Sequence, residues 1–95
     1  MNYESIVSAL KEKGLTVTFA ESCTGGYLAK MITDIPGSSS VFKGSVVAYA
    51  NEIKHSLLCV KQETLELFGA VSPQTAREMA TGAKMLFNAD IAVSV

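Results

Sequence analysis

The 95 residues, of which 48% are apolar and 18% charged, fit one compact domain with a single core and exclude a coiled coil or a disordered chain. Eight basic and nine acidic side chains give a net charge of −1, and no run of like charges marks a surface for nucleic acid or anionic lipid. Because the sequence shows neither a secretory signal nor an apolar stretch of roughly 18 residues, we expect a cytoplasmic protein without a membrane span.

Cysteine and histidine are scarce. Cys23 and Cys59 are far apart in the sequence, and His55 is the single histidine. These residues provide neither a disulfide framework nor a Cys/His zinc pattern, so we expect reduced thiols and no metal site.

The first third of the chain predicts a helix, a strand, a turn and a second helix. Apolar residues at helical spacing end at Gly14, and residues 15–20 are rich in the β-branched and aromatic types that favour strands. Residues 22–26 are polar and contain two glycines, which favours a turn. Helical spacing then resumes over residues 27–34.

Two further strands are predicted after a loop. Residues 34–40 contain a Pro-Gly pair followed by three serines, which is typical of a loop. Residues 44–50 are apolar on both faces, as expected for a buried parallel strand, and residues 89–95 predict a last strand at the end of the chain.

Three helices are predicted between these strands. We expect Asn51 to cap a short helix, residues 62–68 to form another, and Ser72 and Pro73 to begin a longer one. The apolar face predicted for the longer helix consists of Ala76, Met79, Ala80, Ala83, Met85 and Leu86.

Helices that alternate with short strands, without a hairpin signal, predict a layered α/β/α fold with a largely parallel sheet. The terminal strand has no closing helix, and an unpaired apolar edge is usually covered in native domains. We therefore expect residues 1–95 to form the first portion of a larger domain, or to complete their fold with a second copy in a homo-oligomer.

The turn after the first strand is the first candidate site. Ligands of open α/β sheets bind beyond the carboxyl ends of the strands, where Ser22 is expected. The backbone N–H groups of Cys23, Thr24 and Gly25 are then oxyanion donors, and Gly25 and Gly26 let a ligand approach the backbone. The alternatives are that Ser22 or Thr24 only caps the helix, and that Cys23 is a buried small apolar residue and not an activated thiolate.

A base is needed to activate a serine, and the sequence offers few. His55 stands near Leu57 and Leu58 without an evident carboxylate partner, which disfavours a Ser-His-Asp triad. Lys54 and Tyr49, beyond the second strand, are the other candidates. A lysine amine acts as a base only when it is neutral, a state that burial favours. The alternatives are a solvated helix lysine and an aromatic residue at the edge of the core.

Five segments, in the same order along the chain, resemble the CinA C-terminal domain family, the bacterial nicotinamide-nucleotide amidohydrolases. They cover essentially the whole chain but only about the first three-fifths of the family domain, which continues into a glycine- and proline-containing loop that helps to form the pocket. The segments are residues 20–26, 33–39, 47–54, 69–72 and 89–94.

The resemblance implies hydrolysis of the carboxamide of nicotinamide mononucleotide to nicotinic acid mononucleotide and ammonia, in pyridine-nucleotide salvage, without a metal or another cofactor. Ser22 matches the family's nucleophile, Lys54 the lysine that activates it, and Tyr49 the tyrosine beside them. For the oxyanion and the substrate, we expect the contacts to come from Cys23, Thr24, Gly25, Gly26 and Asn51.

Two other functions stay open. One is a module that binds a nucleotide or phosphate without turnover, suggested by the two glycines before the helix. The other is a catalytically silent unit that self-associates through its uncovered sheet.

Overall fold

Three parallel strands form the centre of the structure, a computed structural model that describes residues 2–95. The strands are β1 (Val17–Glu21), β2 (Val46–Val47) and β3 (Ile91–Ser94), in the spatial order β2-β1-β3. β1 pairs in parallel with both neighbours, with Ala20 opposite Val46 and opposite Ser94. The carboxyl ends of all three strands therefore meet at one edge of the sheet, with β1 in the middle.

Residues 2–95 also form five α-helices and one short 3₁₀ helix, of which α1 precedes the first strand and the others connect the strands. The predicted α/β class with a largely parallel sheet is confirmed. The helices are α1 (Tyr3–Lys13), α2 (Tyr27–Thr33), the 3₁₀ helix (Ser38–Ser40), α3 (Asn51–Ser56), α4 (Gln62–Phe68) and α5 (Pro73–Phe87).

Several helix ends agree with the sequence prediction. Gly14 ends α1 in the left-handed conformation, with φ of 67°. The side chain of Ser72 caps α5 by accepting a hydrogen bond from the N–H of Thr75, and Pro73 occupies the first helical position.

The side chains of β1 alternate between two apolar clusters, one on each face of the sheet. Val17 and Phe19 pack into a cluster with residues of α1 and α2, such as Leu10 and Ile32. Ala20 belongs to the cluster on the opposite face, to which β2 and α5 contribute. Neighbouring residues of a strand point to opposite faces of the sheet. The side chains of two consecutive residues at the end of β1, Ala20 and Glu21, therefore lie on different faces.

Three details of the predicted elements are wrong. The second strand is Val46–Val47 and not residues 44–50, because the chain leaves the sheet to begin α3. Asn51 does not cap that helix: it is the first helical residue, and Ala50 precedes it without a side-chain cap. Met85 and Leu86 are exposed, since the buried face of α5 follows the four-residue spacing of Thr75, Met79 and Ala83.

None of the helices within residues 2–95 has the length and apolar character that crossing a bilayer requires.

Candidate active site

Ser22 directly follows β1, at the edge where the three strands end. Its N–H donates to the carbonyl oxygen of Val95, 2.7 Å away, which ties it to the end of the neighbouring strand β3. The side chain of the preceding residue, Glu21, contacts α2. Ser22 contacts α3 instead, so the alternation of β1 directs its hydroxyl to the other side of the sheet.

Lys54 is the buried residue of α3 and is only 3% exposed. Its Nζ donates to Ser22 Oγ at 3.3 Å and to the carbonyl oxygen of Tyr49 at 3.3 Å. The short α3 begins just after β2, and β2 lies beside β1, so the pairing of these two strands brings the lysine to the serine. The alternative of a solvated helix lysine is therefore wrong.

The amides after Ser22 supply two possible oxyanion donors and not three. The N–H of Gly25 donates to the carbonyl oxygen of Ser22 at 3.1 Å, so it is already engaged within the turn. The N–H groups of Cys23 and Thr24 have no protein acceptor among residues 2–95. An N–H without a protein partner, next to a nucleophilic hydroxyl, is suited to hold a developing oxyanion.

Neither Ser22 nor Thr24 caps α2, contrary to that alternative prediction. Gly26 stands at the cap position, with φ of 103° and no side chain to offer. The carboxylate of Glu21 takes over this function and accepts hydrogen bonds from the N–H groups of Leu28 and Ala29.

Glu21 was not among the residues singled out in the sequence. It is fully buried, and besides the two amides its carboxylate accepts a hydrogen bond from Thr24 Oγ1 at 2.7 Å. Burial by itself raises the pKa of Glu21, but the hydrogen bonds from Ala29, Leu28 and Thr24 outweigh it and hold the pKa below the ordinary value of a glutamate. An acidic residue at the end of an otherwise apolar strand was the signal that could have revealed it.

A cavity of about 440 Å³ opens beside Ser22. Apart from the serine, its walls are mostly apolar, and they come from three parts of the chain: the turn after β1, the loop and first turns of α5, and the end of β3. The lining residues are Ser22, Cys23, Ala70, Val71, Ser72, Pro73, Ala76, Met79 and Val95. Such a cavity can bury an apolar part of a ligand beside the Ser22 hydroxyl.

The remaining predicted residues have different positions. Tyr49 contributes its carbonyl oxygen to Lys54, while its side chain is 78% exposed. Asn51 is exposed at the start of α3. Cys23 is exposed and lines the cavity, so the prediction that it is buried is wrong. His55 Nδ1 lies 2.7 Å from the carbonyl oxygen of Val60.

Residues 2–95 contain no group of three or more His, Cys, Asp or Glu side chains arranged to hold a metal ion.

Comparison with solved structures shows the same fold. The competence-damaged protein (CinA) superfamily protein from Escherichia coli superposes with a TM-score of 0.95 at 34% identity, over 97% of this chain and 54% of that chain. The competence/damage inducible protein from Agrobacterium tumefaciens gives a TM-score of 0.90 at 44% identity, over 97% of this chain and 56% of that one.

Sequence comparisons agree with the structural ones. A CinA-like protein from Fervidobacterium nodosum is 53% identical over 93 residues, which are 98% of this chain and 23% of that protein. The chain thus spans about a quarter of the length of this curated relative. The family model of the CinA C-terminal domain matches residues 2–95. The chain therefore belongs to the CinA C-terminal domain family.

Proposed function

We propose that the whole protein hydrolyses a carboxamide, with nicotinamide mononucleotide as substrate and nicotinic acid mononucleotide and ammonia as products. The observation that carries the proposal is the buried Lys54, whose Nζ lies 3.3 Å from the Ser22 hydroxyl at the carboxyl edge of the sheet. At this distance the amine and the hydroxyl can exchange a proton directly. The resemblance to amidohydrolases supplies the substrate.

In the first half of the proposed reaction, Ser22 Oγ attacks the carboxamide carbon and its proton passes to Lys54 Nζ. The carbonyl oxygen becomes an oxyanion, which the N–H groups of Cys23 and Thr24 stabilise. Lys54 then returns the proton to the amide nitrogen, the C–N bond breaks, and ammonia leaves. The product of this half is an ester between the acyl group and Ser22.

In the second half, a water molecule attacks the ester carbon and gives its proton to Lys54. The C–O bond to Ser22 breaks, and the serine oxygen recovers the proton from Lys54. The carbonyl oxygen of Tyr49 accepts a hydrogen bond from the lysine and so orients it toward the serine. The acid product and free Ser22 remain, and the atoms balance as amide plus water giving acid plus ammonia.

The cavity beside Ser22 supports a planar aromatic amide as substrate. Its walls include Val71, Pro73 and Met79, which contact a ring through apolar atoms, while Ser22 faces the group that reacts. A nucleotide ligand and assembly into a homo-oligomer stay predictions of the sequence.

The test is ammonia release from nicotinamide mononucleotide by the full-length protein and by its Ser22→Ala variant. We expect release by the wild type and a loss of at least about 10³-fold in kcat for Ser22→Ala, because no covalent ester can form. Ser39→Ala, at an exposed serine of the 3₁₀ helix, is the matched control. Ammonia release that survives Ser22→Ala would contradict the proposal.

A further inference from the structure

We propose that Glu21 is the positioning residue of this site: its buried carboxylate holds the turn of residues 22–26 and the start of α2 so that Ser22 Oγ meets Lys54 Nζ. The inference rests on the proposed function, since it gives Glu21 a task in a reaction carried out by Ser22. It concerns a residue that does not touch the substrate and acts through its neighbours.

The first observation is the number of contacts that one carboxylate makes. Oε1 accepts from Thr24 Oγ1 at 2.7 Å and from the N–H of Leu28 at 2.9 Å, and Oε2 accepts from the N–H of Ala29 at 3.0 Å. These donors lie three, seven and eight residues further along the chain. A single side chain thus connects the end of β1 to both the middle of the turn and the helix that follows it.

The second observation is that the turn contains two adjacent glycines with positive φ. Gly25 and Gly26 have φ of 63° and 103°, and glycine has the greatest conformational freedom of all residues. The cap position of α2 has no side chain. The other hydrogen bonds of the turn among residues 2–95 join Ser22 to Val95, Gly25 and Lys54, Thr24 to Tyr27, and Gly26 to Lys30.

The third observation is that the backbone of Glu21 is itself fixed in the central strand of the sheet. It is the last residue of the central strand, and its carbonyl oxygen accepts a hydrogen bond from the N–H of Ala48 at 2.7 Å. It is also fully buried, and an ion in that position is costly unless several donors satisfy it. An apolar residue would fill the same space at lower cost, but it would not fix the turn beside the nucleophile.

The experiment compares wild type with Glu21→Gln and Glu21→Asp in the full-length protein. The glutamine has one acceptor oxygen where the carboxylate has two, and the aspartate is one methylene too short to reach all three donors. We expect kcat for ammonia release to fall by about 10- to 100-fold with little change in KM, because a misplaced nucleophile affects the reacting atoms more than binding.

Glu78→Gln is the matched control. Glu78 also accepts one hydrogen bond from a main-chain N–H, that of Lys61, and one from a threonine hydroxyl, that of Thr64. These bonds stabilise the start of α4, which is not part of the site around Ser22. We expect this variant to lose a similar amount of thermal stability and to keep its kcat within about 2-fold of wild type. An equal fall of kcat in folded Glu78→Gln and Glu21→Gln would reduce Glu21 to a structural role and overturn the proposal.

A substrate-independent readout separates this inference from the proposed function. Phenylmethylsulfonyl fluoride sulfonylates reactive serines with release of fluoride, and mass spectrometry of peptides gives the rate of labelling at Ser22. We expect slower labelling of Ser22 in both Glu21→Gln and Glu21→Asp. If the glutamine variant does not fold, the aspartate variant is compared with the wild type instead. Equal rates in wild type and a folded variant, or no labelling of Ser22 in the wild type, would overturn the positioning role. A wild type that is labelled at Ser22 but releases no ammonia would contradict only the proposed function.

Discussion

Lys54 Nζ and Ser22 Oγ are 3.3 Å apart, although 32 residues separate them in the sequence. The pairing of β2 with β1 sets this distance, because Ser22 follows one strand and Lys54 lies on the short helix after the other. Two adjacent parallel strands thus place a hydroxyl and a buried amine at one edge of the sheet, where α/β proteins commonly bind their ligands.

Replacement of Lys54 by methionine should separate catalysis from stability. We expect Lys54→Met to lower kcat by about 10²–10⁴-fold, because the proposed mechanism then lacks the base that activates Ser22. We expect the melting temperature to stay the same or to rise, because an apolar side chain of similar length fits a site that is only 3% exposed. Ammonia release and thermal unfolding followed by circular dichroism measure the two quantities.

Lys43→Met, at an exposed lysine, is the control for this prediction and should change neither quantity appreciably. A strong fall in the melting temperature of Lys54→Met would show that the lysine is needed for packing. In that case its burial could not be read as an adaptation to catalysis.

Acid should destabilise the fold through Glu21. Burial raises the pKa of Glu21, but hydrogen bonds from Ala29, Leu28 and Thr24 lower it by more. The pKa in the folded state therefore lies below that in the unfolded chain. The stability contributed by this carboxylate is therefore present above the unfolded pKa of about 4.3 and is lost as the pH falls through the folded value. We expect the urea midpoint to decrease between about pH 5 and pH 3.

Glu21→Gln should flatten that decrease, because the amide does not titrate. Glu12→Gln, at an exposed position of α1, should leave the slope as it is in the wild type. The same slope in wild type and Glu21→Gln would mean that other carboxylates cause the acid sensitivity. Glu78 is one such group, since hydrogen bonds from the Lys61 N–H and the Thr64 hydroxyl also lower its pKa.

At Gly82, helix α5 passes close to the backbone of Leu58. A Cβ at this position would overlap the carbonyl group of Leu58, a backbone atom that cannot move aside easily. Alanine stabilises a helix by about 1 kcal/mol relative to glycine, but the steric overlap costs more than this gain. We therefore expect Gly82→Ala to lower the free energy of unfolding by about 2 kcal/mol.

Urea unfolding measures this change, and Lys84→Ala, at an exposed position two residues further along α5, is the control, with an expected effect within about 0.5 kcal/mol. Stabilisation by Gly82→Ala would contradict the packing argument. It would mean that the helix moves away from Leu58 at little cost.

Local rules were sufficient for much of the fold. Gly14, Ser72 and Pro73 mark helix ends by their own backbone and side-chain preferences, and they do so here as predicted. The predictions failed where a tertiary contact competes with a local preference. Asn51 is a good cap by itself, yet the chain enters α3 one residue earlier, at Ala50.

The site shows the same division. The residue types at positions 22, 49 and 54 suggested a nucleophile and its base, but a lysine near apolar residues is usually solvated, and only the sheet pairing shows that Lys54 is buried against Ser22. The sequence pattern did not reveal Glu21, because two of its three partners are seven and eight residues away, beyond the reach of a capping pattern. Gly25 was expected to offer a free amide, and the turn uses that amide internally.

The sequence by itself determined the order of helices and strands, the parallel sheet and the family, because these depend on periodicity, on turn residues and on short motifs that lie close together along the chain. Only the tertiary structure decided which groups meet: Lys54 with Ser22, Glu21 with the start of α2, and Cys23 with an open cavity. The physical reason is that burial and hydrogen-bond partners depend on which strands become neighbours, and strand order is a property of the whole fold that no single segment carries.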